Sequence, residues 1–227
     1  MSGAEAVVPV ITIDGPSGTG KGTIAALLAE RLGWHLLDSG ALYRTLGLAA
    51  RRAGVDVDDG PGLGALAGRI RVDFDDERVL LDGDDVSDAI RTAAAGGDAS
   101  RVAVHGEVRA ALLDWQRAAA RLPGLVADGR DMGSQVFPDA AVKIFLDASP
   151  EERANRRYKQ LKDKGLDANL RDLVRELRER DERDRARAHS PLTIPADATV
   201  VDSTHKSIDE VLDIALDLVR RGLPGAC

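Results

Sequence analysis

The residues best suited to chemistry form a glycine-rich segment near the N-terminus, Gly15-Pro16-Ser17-Gly18-Thr19-Gly20-Lys21-Gly22-Thr23. An apolar, β-branched run precedes it and apolar residues at helical spacing follow it, which is the strand–loop–helix context of a phosphate-binding loop. Glycines let successive backbone N–H groups converge on phosphate oxygens, and the helix N-terminus adds positive potential. Lys21 would supply a point charge to the β- and γ-phosphates. We therefore predict that these nine residues bind ATP, with Lys21 also taking part in catalysis.

The hydroxyl residue of this loop is displaced by one position. The usual pattern places Ser or Thr directly after the lysine, whereas here Gly22 intervenes and Thr23 carries the hydroxyl. This Gly-Lys-Gly-Thr variant is similar to that of nucleoside monophosphate kinases. We predict that Thr23 binds Mg²⁺, directly or through water, and that Mg²⁺ is the cofactor that accompanies ATP. A chance glycine-rich turn is the alternative interpretation of the segment.

Arginines beside apolar strands and at loop ends indicate what receives the phosphoryl group. They are Arg44, Arg91, Arg109, Arg130, Arg156, Arg157, Arg180 and Arg187. An acceptor that is itself a phosphate brings a dianion up to ATP, and two unit charges 4 Å apart repel by about 4 kcal/mol at an effective dielectric constant near 20. Several arginines would offset this repulsion. Because a phosphate monoester is already ionised at pH 7, we expect no catalytic base. The Asn-Lys-x-Asp box of GTPases is absent from the sequence.

A highly charged segment, residues 170–188, allows two interpretations. Arg180, Asp184 and Arg187 fall on one helical stripe together with Arg183 and could line a site. Composition alone favours a solvated helix stabilised by pairs such as Glu179 with Arg183.

Strand-like and helix-like segments alternate along most of the chain, which predicts an α/β fold with a parallel sheet and helices on both faces. Buried strands are predicted at 7–13, 124–127 and 141–146, a short strand at 34–37 and a last strand at 199–201. Helices are predicted at 23–32, 41–52, 101–122, from 149 to about 165, at 170–188, and after a capping box at Ser207. Residues 58–97 are rich in Gly and Asp, and their alternating runs at 69–74 and 78–81 predict a small antiparallel β insert around an acidic turn.

Composition excludes several classes of function. The net charge of −7 argues against binding of a nucleic-acid polymer, and 3% aromatic residues leave few faces for base stacking. The four histidines have no metal-ligand spacing, and the only cysteine, Cys227, cannot form a disulfide within the chain. The sequence shows neither a signal peptide nor an apolar run of the ~20 residues that cross a bilayer. We expect a soluble, cytoplasmic protein without a membrane partner.

Together these motifs resemble one family, the bacterial cytidylate kinases, from about residue 7 to the final helix. The matching segments are 10–18, Leu36-Leu37-Asp38-Ser39-Gly40-Ala41-Leu42-Tyr43-Arg44, Ala127-Asp128-Gly129-Arg130-Asp131-Met132-Gly133, and 180–187. The resemblance implies transfer of the γ-phosphoryl group of Mg-ATP to CMP or dCMP by a monomer. It also implies a core at about 7–38, 101–150 and 190–227, a monophosphate-binding region with the β insert at about 39–100, and a lid at about 153–168.

The resemblance further implies residue roles. Arg44, Arg130 and Arg187 would clamp the acceptor phosphate; Ser100, Arg109 and Asp131 would read cytosine, with Ser39 nearby. Arg180 and Asp184 would contact the sugar hydroxyls, and Arg156 and Arg157 would act from the lid, so that catalysis falls to Lys21, Arg130, Arg187, Arg156 and Arg157.

The chain departs from the family pattern in the arm that carries Ser100 and Arg109. A run Ala93-Ala94-Ala95-Gly96-Gly97 replaces a more varied helix with an acidic residue, and Gly106 replaces a proline. Both changes concern the rigidity of this arm and hence base discrimination. The competing hypotheses are a kinase for UMP, AMP or a small alcohol, and a nucleotide-binding regulator without catalysis.

Overall fold

A computed structural model describes residues 7–75, 78–163 and 165–225. The strands of its central sheet are Val10–Asp14 (β1), His35–Asp38 (β2), Leu125–Gly129 (β6), Val142–Asp147 (β7) and Thr199–Asp202 (β8). They are all parallel and lie in the order β2-β6-β1-β7-β8. The predicted parallel α/β fold is therefore confirmed. Val7 is 91% exposed, so β1 begins three residues later than its apolar run predicts.

Helices cover both faces of this sheet. Helices α1 (Lys21–Leu32) and α8 (Ile208–Gly222) share one apolar cluster with the sheet, which includes Ile11, Leu28 and Val219. On the opposite face, α5 (Gly106–Ala118) and a π-helical turn (Met132–Val136) pack against Val10 and Leu125. Ser207 accepts a hydrogen bond from Glu210 N–H and completes the predicted capping box of α8. Within the described residues, no helix combines the length and the apolar character that a membrane span requires.

A second apolar core lies in the part of the chain between β2 and β6. It joins α2 (Ser39–Ala53), α3 (Gly60–Ala67), α4 (Ala93–Val102) and α5 to an antiparallel sheet of β3 (Val72–Asp75), β4 (Arg78–Leu81) and β5 (Asp84–Asp85). The predicted β insert is thus present, but α3 and the start of α4 make the segment partly helical. Asp59 caps α3 by accepting from Gly62 N–H, and Leu63 and Leu66 are buried, so tertiary packing outweighs the low helix propensity of its glycines.

The prediction of a single helix over residues 101–122 is wrong. The chain leaves α4 after Val102 and enters α5 at Gly106, and His105 between them has extended backbone angles. The ring nitrogen Nε2 of His105 lies 2.9 Å from Val57 O, and this contact stabilises the turn. In one straight helix, the nine residues from Ser100 to Arg109 would span about two and a half turns and put the two side chains on opposite faces. The break lets both reach the same cleft.

Helices α6 (Pro150–Asp163) and α7 (Leu170–Ala186) pack against each other beyond β7. The interpretation of α7 as a solvated helix fits most of its residues, which are exposed, but is wrong for the face that carries the buried Asp181 and Asp184. Of the predicted stripe, only Arg183 is exposed. Glu179 pairs with Arg175 at 3.9 Å. The acidic turn at 76–77, residue 164 and Cys227 lie outside the described residues.

Two glycines with open space around them give a test of helix α4. Gly97 lies exposed inside α4 with no heavy atom within 4 Å of an added Cβ, so Gly97→Ala should stabilise the protein by about 0.5–1 kcal/mol through helix propensity. Gly54 has equal space but a φ of +66°, so Gly54→Ala should destabilise it by about 1 kcal/mol. Urea unfolding of both variants measures the difference. Equal shifts of the same sign would contradict a regular α4.

Candidate active site

The glycine-rich loop connects β1 to α1 at the carboxyl edge of the sheet. Gly15 has a φ of +149°, and an added Cβ would lie 2.0 Å from Leu146 O on β7, so only glycine fits there. Gly20 is the N-cap of α1 and offers no side-chain cap. The amide groups of the first turn therefore remain suited to an anion, as at other phosphate-binding helix termini.

Lys21 and Asp128 form the floor of the site. The Lys21 ammonium lies 3.9 Å from Asp128 Oδ1 and donates to Pro16 O at 3.4 Å. Burial, reinforced by the charge of Arg130, lowers the pKa of Lys21 to about 8. Burial also raises the pKa of Asp128 to about 6, although Lys21 opposes the shift. Both charges are thus poorly solvated, and a ligand that supplies counter-charge would stabilise them.

The residues around this floor fit Mg²⁺. Asp128 Oδ1 is buried without a hydrogen-bond partner among the described residues, and Asp128 Oδ2 lies against Gly22 on the first turn of α1. Thr23 is exposed on the same turn but does not line the cleft. Carboxylate and hydroxyl oxygens beside substrate phosphates are the donors that Mg²⁺ takes in phosphoryl-transfer sites. Sequence reasoning predicted Thr23 as the metal residue and did not consider Asp128, although its position at the end of a buried strand was visible.

A cleft of about 260 Å³ opens beside Lys21 and brings together the predicted acceptor residues. All nine of them line it, although they come from four helices and the end of β6: Ser39, Arg44, Ser100, Arg109, Arg130, Asp131, Arg180, Asp184 and Arg187. Ser17, Lys21 and Gly22 line the same cleft. The phosphate-binding loop and the arginines therefore face one space.

Asp184 is the centre of the arginine cluster. Its side chain is 1% exposed and accepts from Arg130 Nε at 3.1 Å, from Ser100 Oγ at 3.3 Å and, at very close range, from Arg187. Burial alone would raise the pKa of Asp184, but Arg130, Arg187 and Arg180 outweigh it, and the pKa falls below its ordinary value. Asp184 therefore stays ionised and orients Arg130 and Arg187.

Arg109 and Asp131 form a second buried pair in close contact, with side chains 10% and 4% exposed. Arg109 also donates to Ala103 O at 3.2 Å and lies over the Tyr43 ring, 5.6 Å from its centroid. The guanidinium is thereby held in one orientation beside the carboxylate. Sequence reasoning missed Tyr43, which lines the cleft, because a buried aromatic residue on an amphipathic helix looks like core.

Two further carboxylates position the loops. Asp14 is 2% exposed and accepts from the N–H groups of Met132 and Gly133, both at 2.8 Å, directly after Arg130 and Asp131. Burial raises the pKa of Asp14 to about 7, and the two hydrogen bonds oppose the shift. Asp38 caps α2 through Ala41 N–H and accepts from Arg44 Nη2 at 2.9 Å. Neither role was predicted from the sequence.

The predicted lid arginines do not line the cleft. Arg156 donates to Thr19 O of the phosphate-binding loop at 3.0 Å and to Ser203 O at 2.5 Å, and it pairs with Glu152. Arg157 is half-buried on α6. Their action on phosphates remains a prediction.

The chain that forms this cleft is similar to proteins of one family. Residues 11–221 match the family model described as Cytidylate kinase. The chain is 57% identical to the cytidylate kinase of Aeromonas salmonicida, covering 97% of each chain, and 56% identical to that of Stutzerimonas stutzeri, covering 96% and 98%. It also resembles the crystal structure of an uncharacterized protein from Eubacterium ventriosum, with a TM-score of 0.52 at 11% identity over 95% and 99% of the two chains, which concerns the fold alone. The chain belongs to the cytidylate kinase family.

Proposed function

We propose that this protein transfers the γ-phosphoryl group of Mg-ATP to CMP or dCMP, giving CDP or dCDP and ADP, within pyrimidine nucleotide metabolism. The observation that carries the proposal is the single cleft in which the lysine of a phosphate-binding loop and five arginines meet. The family relatives are named for the same activity, which supports the choice of acceptor.

The donor site follows from the loop geometry. The loop amides and Lys21 bind the β- and γ-phosphates of ATP, which restores counter-charge to the buried ammonium. Asp128 and Thr23 would hold Mg²⁺, directly or through water, and the bound ion would offset negative charge on the phosphates. A CMP phosphate oxygen attacks the γ-phosphorus, the bond to the ADP oxygen breaks, and ADP leaves with the electron pair.

The acceptor phosphate is bound by arginines that form ion pairs with carboxylates in the substrate-free protein. Arg44 pairs with Asp38, while Arg130 and Arg187 pair with Asp184. These pairs keep the guanidinium groups oriented before the substrate arrives. An incoming phosphate dianion takes over part of their hydrogen bonding in bidentate form, which is the geometry that arginine favours.

Base and sugar are recognised beyond the clamp. Cytosine presents an amino donor at N4 and acceptors at N3 and O2, which suit Asp131 and Arg109 respectively, with Ser100 and Ser39 close by. Uracil would turn a carbonyl toward Asp131. Arg180 and Asp184 contact the sugar hydroxyls.

A lid excludes water from the phosphates of the proposed enzyme. Residues of about 153–168 act as a lid that carries Arg156 and Arg157 over the phosphates and limits hydrolysis. The enzyme is a cytoplasmic monomer. Its net charge of −7 argues against nucleic-acid polymers as partners.

A coupled assay of ADP release tests this function. With Mg-ATP and a panel of CMP, dCMP, UMP, AMP and GMP, CMP and dCMP should be turned over far faster than the rest. Lys21→Met should lose orders of magnitude in turnover and keep its fold, as judged by circular dichroism. No turnover of any member of the panel, or a fully active Lys21→Met variant, would refute the proposal.

Replacing one clamping arginine should be far more damaging than replacing an exposed one. Arg130→Ala should lower kcat/KM for CMP by about 10³-fold, because an arginine on the transferring phosphates contributes ~10³–10⁵ in rate. Arg183→Ala is the matched control, since Arg183 is exposed on α7 between two cleft arginines. It should change kcat/KM by less than about twofold, as expected for an exposed charge. Similar losses in both variants would contradict a specific clamp.

The lowered pKa of Lys21 predicts a pH dependence of ATP binding. Because burial lowers this pKa to about 8 from 10.5, the free enzyme loses the Lys21 charge as the pH rises through about 8. The Kd of a non-hydrolysable Mg-ATP analogue should therefore rise above pH 8, approaching tenfold per pH unit for one linked proton. Calorimetric titrations between pH 7 and 9.5 measure it. Lys21→Met should bind more weakly without this slope, and an equal slope in the variant would exclude Lys21 as its source.

A further inference from the structure

We infer that Arg153 and Asp181 form a positioning pair that couples the ATP site to the CMP site. The inference rests on the proposed function, in which the phosphate-binding loop holds the donor and α7 holds the acceptor. Neither side chain lines the cleft, so neither is a catalytic residue. Their contacts nevertheless join the two halves of the site.

Arg153 is almost completely buried, at 2% exposure, and its guanidinium makes four polar contacts. Nε donates to Ala148 O at 3.0 Å and Nη1 donates to Ser17 O at 3.0 Å. Nη1 and Nη2 donate to the two carboxylate oxygens of Asp181 at 3.1 and 2.5 Å. An arginine is rarely buried unless it is paired in this bidentate way. One side chain of α6 is therefore bonded to the phosphate-binding loop and to α7.

At the donor end, this arginine limits how the loop can move. Ser17 lines the cleft, and its carbonyl accepts from Arg153. Gly18, with a φ of +84°, lies so close to α6 that an added Cβ would be 3.2 Å from the Arg153 Cβ. A shift of the loop backbone on ATP binding must therefore displace Arg153 or be resisted by it.

At the acceptor end, Asp181 belongs to the helix that carries the acceptor contacts. It is 3% exposed and follows Arg180 directly, and Asp184 lies three residues further on the same helix. Arg180 and Asp184 line the cleft, whereas Asp181 bonds to Arg153. Because a helix moves as a rigid unit, a displacement of Asp181 is passed to Arg180 and Asp184. Binding at either site should thus alter affinity at the other.

A structural role alone would predict something different. Replacing a buried ion pair by apolar residues of similar volume is often neutral for stability, whereas removing one partner is not. If the pair only stabilised the fold, a stable apolar replacement would not change the effect of one bound nucleotide on the affinity for the other. If it positions the two sites, this effect should be lost even in a stable variant.

The test measures the Kd of CMP by calorimetry with and without a saturating non-hydrolysable Mg-ATP analogue. The ratio of the two values is the coupling factor, and wild-type protein should give a factor of about 5 or more, as is typical of coupled sites. Asp181→Asn and the double variant Arg153→Met/Asp181→Leu should bring the factor to about 1, while each nucleotide alone binds within about threefold of wild type. Thermal unfolding shows whether each variant is folded. If Asp181→Asn is not folded, the double variant provides the test.

A surface ion pair between the same two helices provides the control. Arg178 and Glu151 are 2.6 Å apart and about 60% exposed, so Glu151→Gln should leave the coupling factor unchanged. A wild-type factor of 1, or an unchanged factor in the folded double variant, would overturn the inference while CMP turnover by the wild type persists. Absence of CMP turnover by the wild type would instead refute the proposed function.

Discussion

The repulsion between two negatively charged phosphates is the constraint on which this structure depends. Bringing them within bonding distance requires positive charge that is fixed in place and shielded from water, because its effect weakens in a high dielectric. The cleft meets this requirement with Lys21 and five arginines, which come from the first turn of α1, from α2, from α5, from the end of β6 and from α7 with its C-cap. The parallel sheet places the phosphate-binding loop beside the end of β6, and the helices supply the other positive charges around the cleft.

The same concentration of charge must be tolerated before any substrate binds. Burial, reinforced by the charge of Arg130, lowers the pKa of Lys21 to about 8 and that of Arg180 to about 10. Three carboxylates reduce this cost by pairing with arginines: Asp38, Asp131 and Asp184. A buried arginine without such a partner would be strongly destabilising. The carboxylates therefore keep an electropositive cleft folded and already oriented for a dianion.

Much of this arrangement could be predicted from local sequence. The phosphate-binding loop has a pattern dictated by backbone approach to phosphate, and Gly15 against Leu146 O shows how strict that requirement is. Contacts between distant segments could not be predicted in the same way. Asp14 receives N–H groups from residues 118 and 119 positions away, and Arg153 reaches Ser17 across 136 positions. No local periodicity encodes such pairs, and helix α3, with its glycines, is stable only because Leu63 and Leu66 are buried.

The departures at Gly96 and Gly106 are explained by packing near the break between α4 and α5, whereas Gly97 has open space around it. An added Cβ on Gly106 would lie 3.1 Å from the His189 ring, and one on Gly96 would lie 3.4 Å from Arg180. Small residues at these two positions thus admit the chain that follows α7 and a cleft arginine. The flexibility that glycine adds is countered at Arg109, which Ala103 O, Asp131 and the Tyr43 ring all restrain. In the proposed function, base discrimination would therefore depend on the anchoring of the Arg109 guanidinium more than on the stiffness of the backbone that carries it.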